Sequence, residues 1–260
     1  MIPLNTLYKA NLFDLFSLIP DKSVDCVLMD LPFGKTKNTW DKPIDLIKFW
    51  VEVNRIKKSK HTPIILHADN PFTADLIYSN RKIFRYSLVW EKTNPKGHLN
   101  ASRMPMRSHE DILVFYEKLP IYNPQKTIGH PRKVSSAVHK RNSKKTSNYG
   151  EHGLTSYDST ERYPTSVWRY KSDTQKLAIH PTQKPVALIE NLIKTYTNPG
   201  AIILDGCAGS FTLAEAADNL GRDWICGDLD EEGIFIPKAF YRINDNRKKI
   251  GLPGVNLITL

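Results

Sequence analysis

VDCVLMDLPFG, residues 24–34, runs from a short apolar segment straight into an acid, a proline, an aromatic and a glycine. A segment this short and this rich in Val and Leu, with no helical period, reads as a buried strand. Comparable runs recur at PIILHA (63–68), YSLVW (86–90), DILVFY (111–116), AIILD (201–205) and DWICGDL (223–229). Residues 44–57, 71–79, 185–196, 213–220 and 231–243 carry apolar residues at helical spacing, the second after Asn70-Pro71, a plausible cap. Strands alternating with helices predict an α/β fold, a mostly parallel sheet covered on both faces.

The rhythm breaks in the middle. Residues 119–179 are rich in Lys, Arg, His, Ser, Thr and Tyr, and 130–150 contain Arg132, Lys133, Lys140, Arg141, Lys144 and Lys145 with no acid. The expected organisation is a core of residues 1–118 and 180–260 with 119–179 inserted at the binding edge of the sheet. A solvated surface loop is the plainer reading of the same stretch. The chain carries 37 Lys and Arg against 27 Asp and Glu, a formal charge of +10. A basic excess of this size suits a polyanion, nucleic acid first. Cys26, Cys207 and Cys226 sit singly in apolar runs, as small core residues of a reducing compartment do. No leader-like start and no apolar run of membrane-spanning length is present, so the expected location is the cytoplasm of a bacterial or phage-infected cell, with no membrane partner.

Chemistry concentrates at two strand ends. In a parallel sheet, ligands bind beyond the carboxyl ends of the strands. Asp30, Pro32 and Phe33 arrive there together. The exocyclic amino group of adenine or cytosine is a weak nucleophile because its lone pair is delocalised into the ring. Two acceptors on its hydrogens, the Asp30 carboxylate and the Pro32 carbonyl, favour pyramidalisation, and Phe33 can stack on the base. The same trio also serves as an ordinary turn or helix cap. The second strand end is Asp205-Gly206-Cys207-Ala208-Gly209-Ser210, followed some twenty residues later by Asp228. Small residues let a ligand approach the backbone, and the spaced acid suits a ribose diol. A tight connection with an exposed acid is the alternative. His109-Glu110 reads as a hydrogen-bonded structural pair, and His67 with Asp69 lacks a third ligand, so no metal is expected.

Together these segments resemble the amino-group DNA methyltransferases, in the permuted order that places the catalytic motif before the cofactor motif. DLPFG is similar to their DPPY or DPPF tetrapeptide, and HPTQKPV (180–186) to the segment opening the helix before the cofactor motif. WEKTNPKG, RSHEDILVFYEK and GKTKNTWDKP also resemble segments of small bacterial and phage members. The resemblance implies a Rossmann-like sheet with an antiparallel strand and a target-recognition insertion. It implies S-adenosylmethionine held by the turn Asp205, Cys207, Ala208, Gly209, Ser210 and Phe211, by Asp228 on the ribose, and by Thr182, Gln183 and Lys184 near the methionine end. Asn11 stands beside the cofactor adenine, and Asp30 is shared between cofactor and base. The reaction implied is direct methyl transfer to N6 of a flipped adenine in double-stranded DNA, N4 of cytosine being the nearest alternative and an inactive DNA-binding relative a third. Arg132, Lys133, Lys140, Arg141, Lys144 and Lys145 become candidate DNA contacts, joined by Lys35 in a loop (35–40) that can close over the pocket. A homodimer is in keeping with the family, though no interface is legible.

Three positions depart from the family pattern: Leu31 replaces the first proline, Phe211 stands where a second glycine is usual, and Ala10-Asn11 replaces Gly-Asp.

Overall fold

The computed structural model describes residues 2–34, 41–136, 156–172 and 179–260. Its larger compact unit comprises Met1–Asn123 and Ser166–Leu260. The strands of this unit are β1 (Thr6–Lys9), β2 (Cys26–Met29), β3 (Ile64–Ala68), β4 (Phe84–Lys96) and β5 (Arg107–Phe115), with β8 (Val167–Tyr170), β9 (Ile202–Asp205), β10 (Asp223–Asp228) and β11 (Leu257–Thr259). They form one sheet in the order β11-β1-β10-β9-β2-β3-β5-β4-β8. Every neighbouring pair is parallel except the two made by β5. The central strands are mostly apolar, with polar residues such as His67 and Asp205 toward their crevice ends, because helices cover both faces.

Strand alternation divides the core into two layers. Cys26 and Leu28 point to one side, where they meet Leu188, Leu192 and Ile193 of α4 (Val186–Tyr196), Leu213 and Ala217 of α5 (Thr212–Asn219), and Ile236 and Ile243 of α6 (Phe235–Lys249). Val27 and Met29 point to the other, toward Leu15 and Phe16 of α1 (Leu12–Leu18), Phe49 and Val53 of α2 (Leu46–Ile56), and Phe72 and Leu76 of α3 (Phe72–Ser79). A period of two in the strands thus meets a period of three to four in the helices, giving three layers.

Helix starts follow local capping chemistry. The Asp45 side chain accepts from the Lys48 amide at 3.0 Å and starts α2 two residues after its expected beginning. The Asp230 carboxylate accepts from the amides of Ile234, Phe235 and Ile236, so residues 231–234 form a capped turn and α6 begins at Phe235 rather than at 231. Arg247, Lys248 and Lys249 complement the dipole of its last turn and carry the helix past 243. Seven residues long, α1 lacks a readable period; the Asn11 side chain, accepting from the Phe13 amide at 2.9 Å, marks its start. At α3, Pro71 occupies the cap position and no side chain caps the helix.

The smaller unit is Pro124–Thr165, in which β6 (Lys133–Ser135) pairs antiparallel with β7 (Tyr157–Ser159). Arg132 donates to both Asp158 oxygens, at 2.8 and 2.6 Å, and Arg162 braces the chain through the carbonyls of Ser159 and Glu161. The expected insertion of 119–179 is too long at its carboxyl end. Residues Val167–Tyr170 belong to the main sheet, since Trp168 is buried in its core and β8 pairs with β4. Lys35, Lys140, Arg141, Lys144, Lys145 and the loop 35–40 lie outside the described residues.

Candidate active site

The chain runs outward in opposite directions from the β9–β2 pair, to β3 on one side and to β10 on the other. In an open α/β sheet this switch of direction leaves a crevice beyond the strand carboxyl ends. Asp205 ends β9, Asp30 follows β2, and a cavity of about 510 Å³ opens between them. Every sequence-predicted catalytic and cofactor residue lines it except Phe211.

The half around Asp30 is a row of polar side chains set by sheet alternation. Leu28, Ile65, Ile112 and Trp90 lie in one core layer, on the neighbouring strands β2, β3, β5 and β4. Two residues after Leu28, Ile65 and Trp90 stand Asp30, His67 and Lys92, and two before Ile112, on the antiparallel strand β5, stands Glu110, all of which alternation places on the same face. Lys184, 9 % exposed, reaches into this row: its Nζ is 2.6 Å from Asp30 Oδ2 and 3.1 Å from Glu110 Oε2. Lys92 pairs with the other Glu110 oxygen. Burial pushes the Glu110 carboxyl up, but the two ammonium groups outweigh it and hold it down to about 2. Burial raises the Asp30 carboxyl above its ordinary range, against the pull of Lys184. Asp30 Oδ1 is buried and has no hydrogen-bond partner among the described residues. Glu110 is therefore ion-paired with two lysines, with a hydrogen bond from Lys92 alone, and not with His109, its strand neighbour, which points to the opposite face. Asp69 pairs with Arg107 rather than sharing a ligand set with His67.

The turn after Asp30 is fixed by Asp41, which is buried and accepts from the Gly34 amide at 2.8 Å. Phe33 lines the cavity while packing against Phe72, ring centroids 5.2 Å apart. Leu31 is buried in the core layer of α1–α3, so the missing proline is replaced by packing.

The second half is built mostly from backbone. Asp205 Oδ1 accepts from the Cys207 amide at 3.0 Å, and Asp228 Oδ2 from the Gly209 amide at 2.8 Å. Asp228 Oδ1 also takes the Asp230 amide, at 3.0 Å. Two bonds leave a carboxylate with acceptor capacity for a ligand hydroxyl. Burial raises both carboxyls, and the backbone donors partly offset it. Gly209 has φ +50, and a Cβ there would stand 3.4 Å from the His180 ring, which closes the turn from above and packs edge-on to Phe235. Thr182 Oγ1 lies 3.0 Å from His180 Nδ1, and Gln183 Oε1 accepts from the Ile179 amide at 3.2 Å, bracing the segment. Burial, with Asp205 nearby, keeps the Cys207 thiol protonated and a poor nucleophile.

Three sequence expectations change. Phe211 does not line the cavity: φ +56 turns its side chain into the core layer of α4–α6, where it is fully buried. Asn11 does line the cavity, but its side-chain oxygen is engaged in capping α1. Lys184 lines the cavity, but its ammonium is paired with Asp30 and Glu110 on the β2 side of the crevice. Of the DNA-contact candidates, Lys133 is exposed on β6 and Arg132 is paired to Asp158. Lys92 and Asp41 were missed, and His67 was weighed only as a metal ligand: Lys92 and His67 acquire meaning from neighbours distant in sequence, and Asp41 from the turn it closes; His180 opens the quoted HPTQKPV segment and Asp230 stands two residues after Asp228.

Known proteins place this geometry. The chain is 25% identical to the type II methyltransferase M1.MboII of Moraxella bovis, over 94% of this chain and 98% of that protein. It is 28% identical to the DNA adenine methyltransferase YhdJ of Escherichia coli K12, over 83% and 75% of the two chains. The crystal structure of an M1.HpyAVI–SAM complex superposes with a TM-score of 0.62 at 21% identity, covering 92% of this chain and 98% of that one. The family model of the N6/N4 methylases, described as DNA methylase, matches residues 24–236, a span that holds both halves of the crevice. The chain is a member of the N6/N4 DNA methylase family.

Proposed function

We propose that the chain transfers the methyl group of S-adenosylmethionine to the N6 amino group of an adenine flipped out of duplex DNA at a specific sequence. One observation carries this reading: the buried Asp30 Oδ1 on the cavity wall has an acceptor position and no partner, while its sister oxygen is anchored by Lys184. An amino hydrogen of the base supplies the missing donor. The carbonyl of Pro32 takes the second hydrogen, and Lys184 holds Asp30 charged and oriented, so that the amino lone pair is directed out of the ring plane.

The second half suits the methyl donor. The Gly209 turn takes a left-handed backbone conformation, φ +50, that side-chain-bearing residues rarely adopt, and Asp228 retains acceptor capacity for a ribose diol. Asp205, Cys207, Ala208, Ser210 and Thr182 would line the rest of the donor site, with Asn11 and Gln183 at its margins. S-Adenosylmethionine, when bound, supplies a methyl group on a sulfonium, an electrophile that needs no enzyme nucleophile. Phe211 leaves the donor site unobstructed, because its ring lies in the core. YhdJ, an adenine methyltransferase by name, supports adenine over cytosine. Lys133 and the basic residues 140–145 are proposed to hold DNA phosphates in the electrostatic part of binding.

The test is incubation with radiolabelled S-adenosylmethionine and unmethylated duplex DNA, with Asp30→Ala as control, followed by digestion to nucleosides. Label in N6-methyladenosine that vanishes in the variant is the expected result. Label in N4-methylcytidine would move the target to cytosine, and no label with DNA binding intact would overturn the reading.

A further inference from the structure

His67 is the one member of the Asp30–His67–Glu110–Lys92 row with neither an ion pair nor a hydrogen bond among the described residues. It is 1 % exposed, it lines the cavity, and both ring nitrogens are buried without a hydrogen-bond partner there. Leaving a buried polar atom unsatisfied costs about 1–3 kcal/mol. The neighbouring charges are already paired among themselves, Lys184 with Asp30 and Glu110, and Lys92 with Glu110. Among the described residues no three His, Cys, Asp or Glu side chains gather as a metal site, so a cation does not account for the imidazole. What remains is a ligand that enters the cavity.

Chemistry narrows that ligand. Burial, reinforced by the Lys184 ammonium, lowers the ring to about 3, so it is a neutral imidazole with one N–H donor and one bare nitrogen. It stands on β3 one residue past Leu66, the partner of Met29, just as Asp30 follows Met29, and neighbouring strands lie about 4.8 Å apart. A base whose amino hydrogen rests on Asp30 Oδ1 presents a ring-nitrogen acceptor immediately beside that amino group.

From this we infer that His67 donates its ring N–H to the nitrogen adjacent to the amino group of the flipped base, N1 in adenine, as a positioning and base-discriminating residue. The inference rests on the amino-methyltransferase reading of the cavity. Guanine and thymine carry an N–H at the equivalent edge and would face this donor with another donor. Neutrality matters as well. Full protonation at N1 would draw electron density from the amino group and weaken it as a nucleophile, whereas a neutral donor fixes the ring with little withdrawal.

The test is a cycle between protein and base. Once the methylated site has been mapped, single-turnover transfer is measured for the native protein and for His67→Phe, on duplexes carrying adenine, 1-deazaadenine or 7-deazaadenine at the target. His67→Phe keeps an aromatic ring, somewhat larger than imidazole, and removes both unsatisfied nitrogens, so where the site accepts the extra volume it is expected to melt at the same temperature or higher and to bind S-adenosylhomocysteine normally. Its rate on adenine is expected to fall about 10- to 100-fold. The native protein is expected to lose a similar factor on 1-deazaadenine, and the variant on 1-deazaadenine to be no worse than either alone. On 7-deazaadenine the native protein should stay within about threefold of adenine, since N7 is not the contact. Losses that multiply, or a variant as fast as the native protein, would overturn the inference while leaving the methyltransferase reading intact. A variant that unfolds would also overturn it, by showing a structural imidazole; His67→Leu checks that this is not a misfit of the larger ring. Should the label fall on cytosine, 3-deazacytosine replaces 1-deazaadenine in the same cycle. A native protein that labels neither base removes the reading and the inference together.

Discussion

The two halves of the crevice solve the same problem, holding a polar ligand at a strand end, by different means. The half on β9 and β10 is local: one strand, one turn and the next strand's terminal acid, held by the Cys207 and Gly209 amides. The half on β2, β3, β5 and β4 draws single side chains from four strands and adds Lys184 from the segment before α4. Backbone donors come with the fold and survive most substitutions. A side-chain network among buried charges does not, because removing one member leaves another charge unpaired. The catalytic half should therefore be the fragile one, in activity and in stability alike.

The comparison breaks first at Asp30. Asp30→Ala is expected to lower the rate of methyl transfer about 10³-fold with S-adenosylmethionine affinity changed less than about tenfold, measured by single-turnover kinetics and calorimetry. A loss of both in equal measure would mean that the halves are not separable.

Lys184→Met tests the network itself. Losing the cation shared by Asp30 and Glu110 should cost about 3–5 kcal/mol in urea unfolding. It should also move the acid limb of activity. The folded pKa of Asp30 is raised, so activity that needs the carboxylate is present at high pH and fades as pH falls through that value, above the ordinary range near ~4. Lys184 opposes that rise, so its loss should shift the limb to higher pH.

Phe211 sharpens the contrast from the other side. Its side chain is core and its backbone is left-handed, so Phe211→Ala should cost about 3–5 kcal/mol and Phe211→Gly about 1 kcal/mol less, as the φ penalty is relieved. The folded fraction of both variants should keep donor affinity within about threefold of the native value, as read by titration; a larger change would put the ring back in the site.

The smallest effect is expected at Asp228. Asp228→Asn keeps an oxygen for the Gly209 amide and should weaken S-adenosylmethionine binding only about tenfold, about 1.4 kcal/mol. A collapse of stability instead would show that the backbone half also hangs on a single charge.

Much of the molecule was legible before its structure. The strands at 26–29, 64–68, 202–205 and 223–228 are short apolar runs, and both chemical motifs stand at strand ends where a parallel sheet presents ligands. Elements too short to show a period escaped: α1, the edge strands β8 and β11, and the β6–β7 pair. Phe211 was placed among the cofactor residues because its position in the motif is visible and the direction of its side chain is not.

What the sequence by itself determined is the α/β alternation, the two motifs and the chemistry of the residues within them, because these depend on neighbours a few positions away. Tertiary structure alone decided that Lys184 anchors Asp30, that Glu110 is ion-paired with two lysines instead of His109, and that His67 stands buried in the cavity without a hydrogen bond among the described residues. The physical reason is the sheet. Strand order and register bring residues 30, 67, 92 and 110 to one face, while the segment before α4 lays Lys184 over them. None of those separations is written in local spacing.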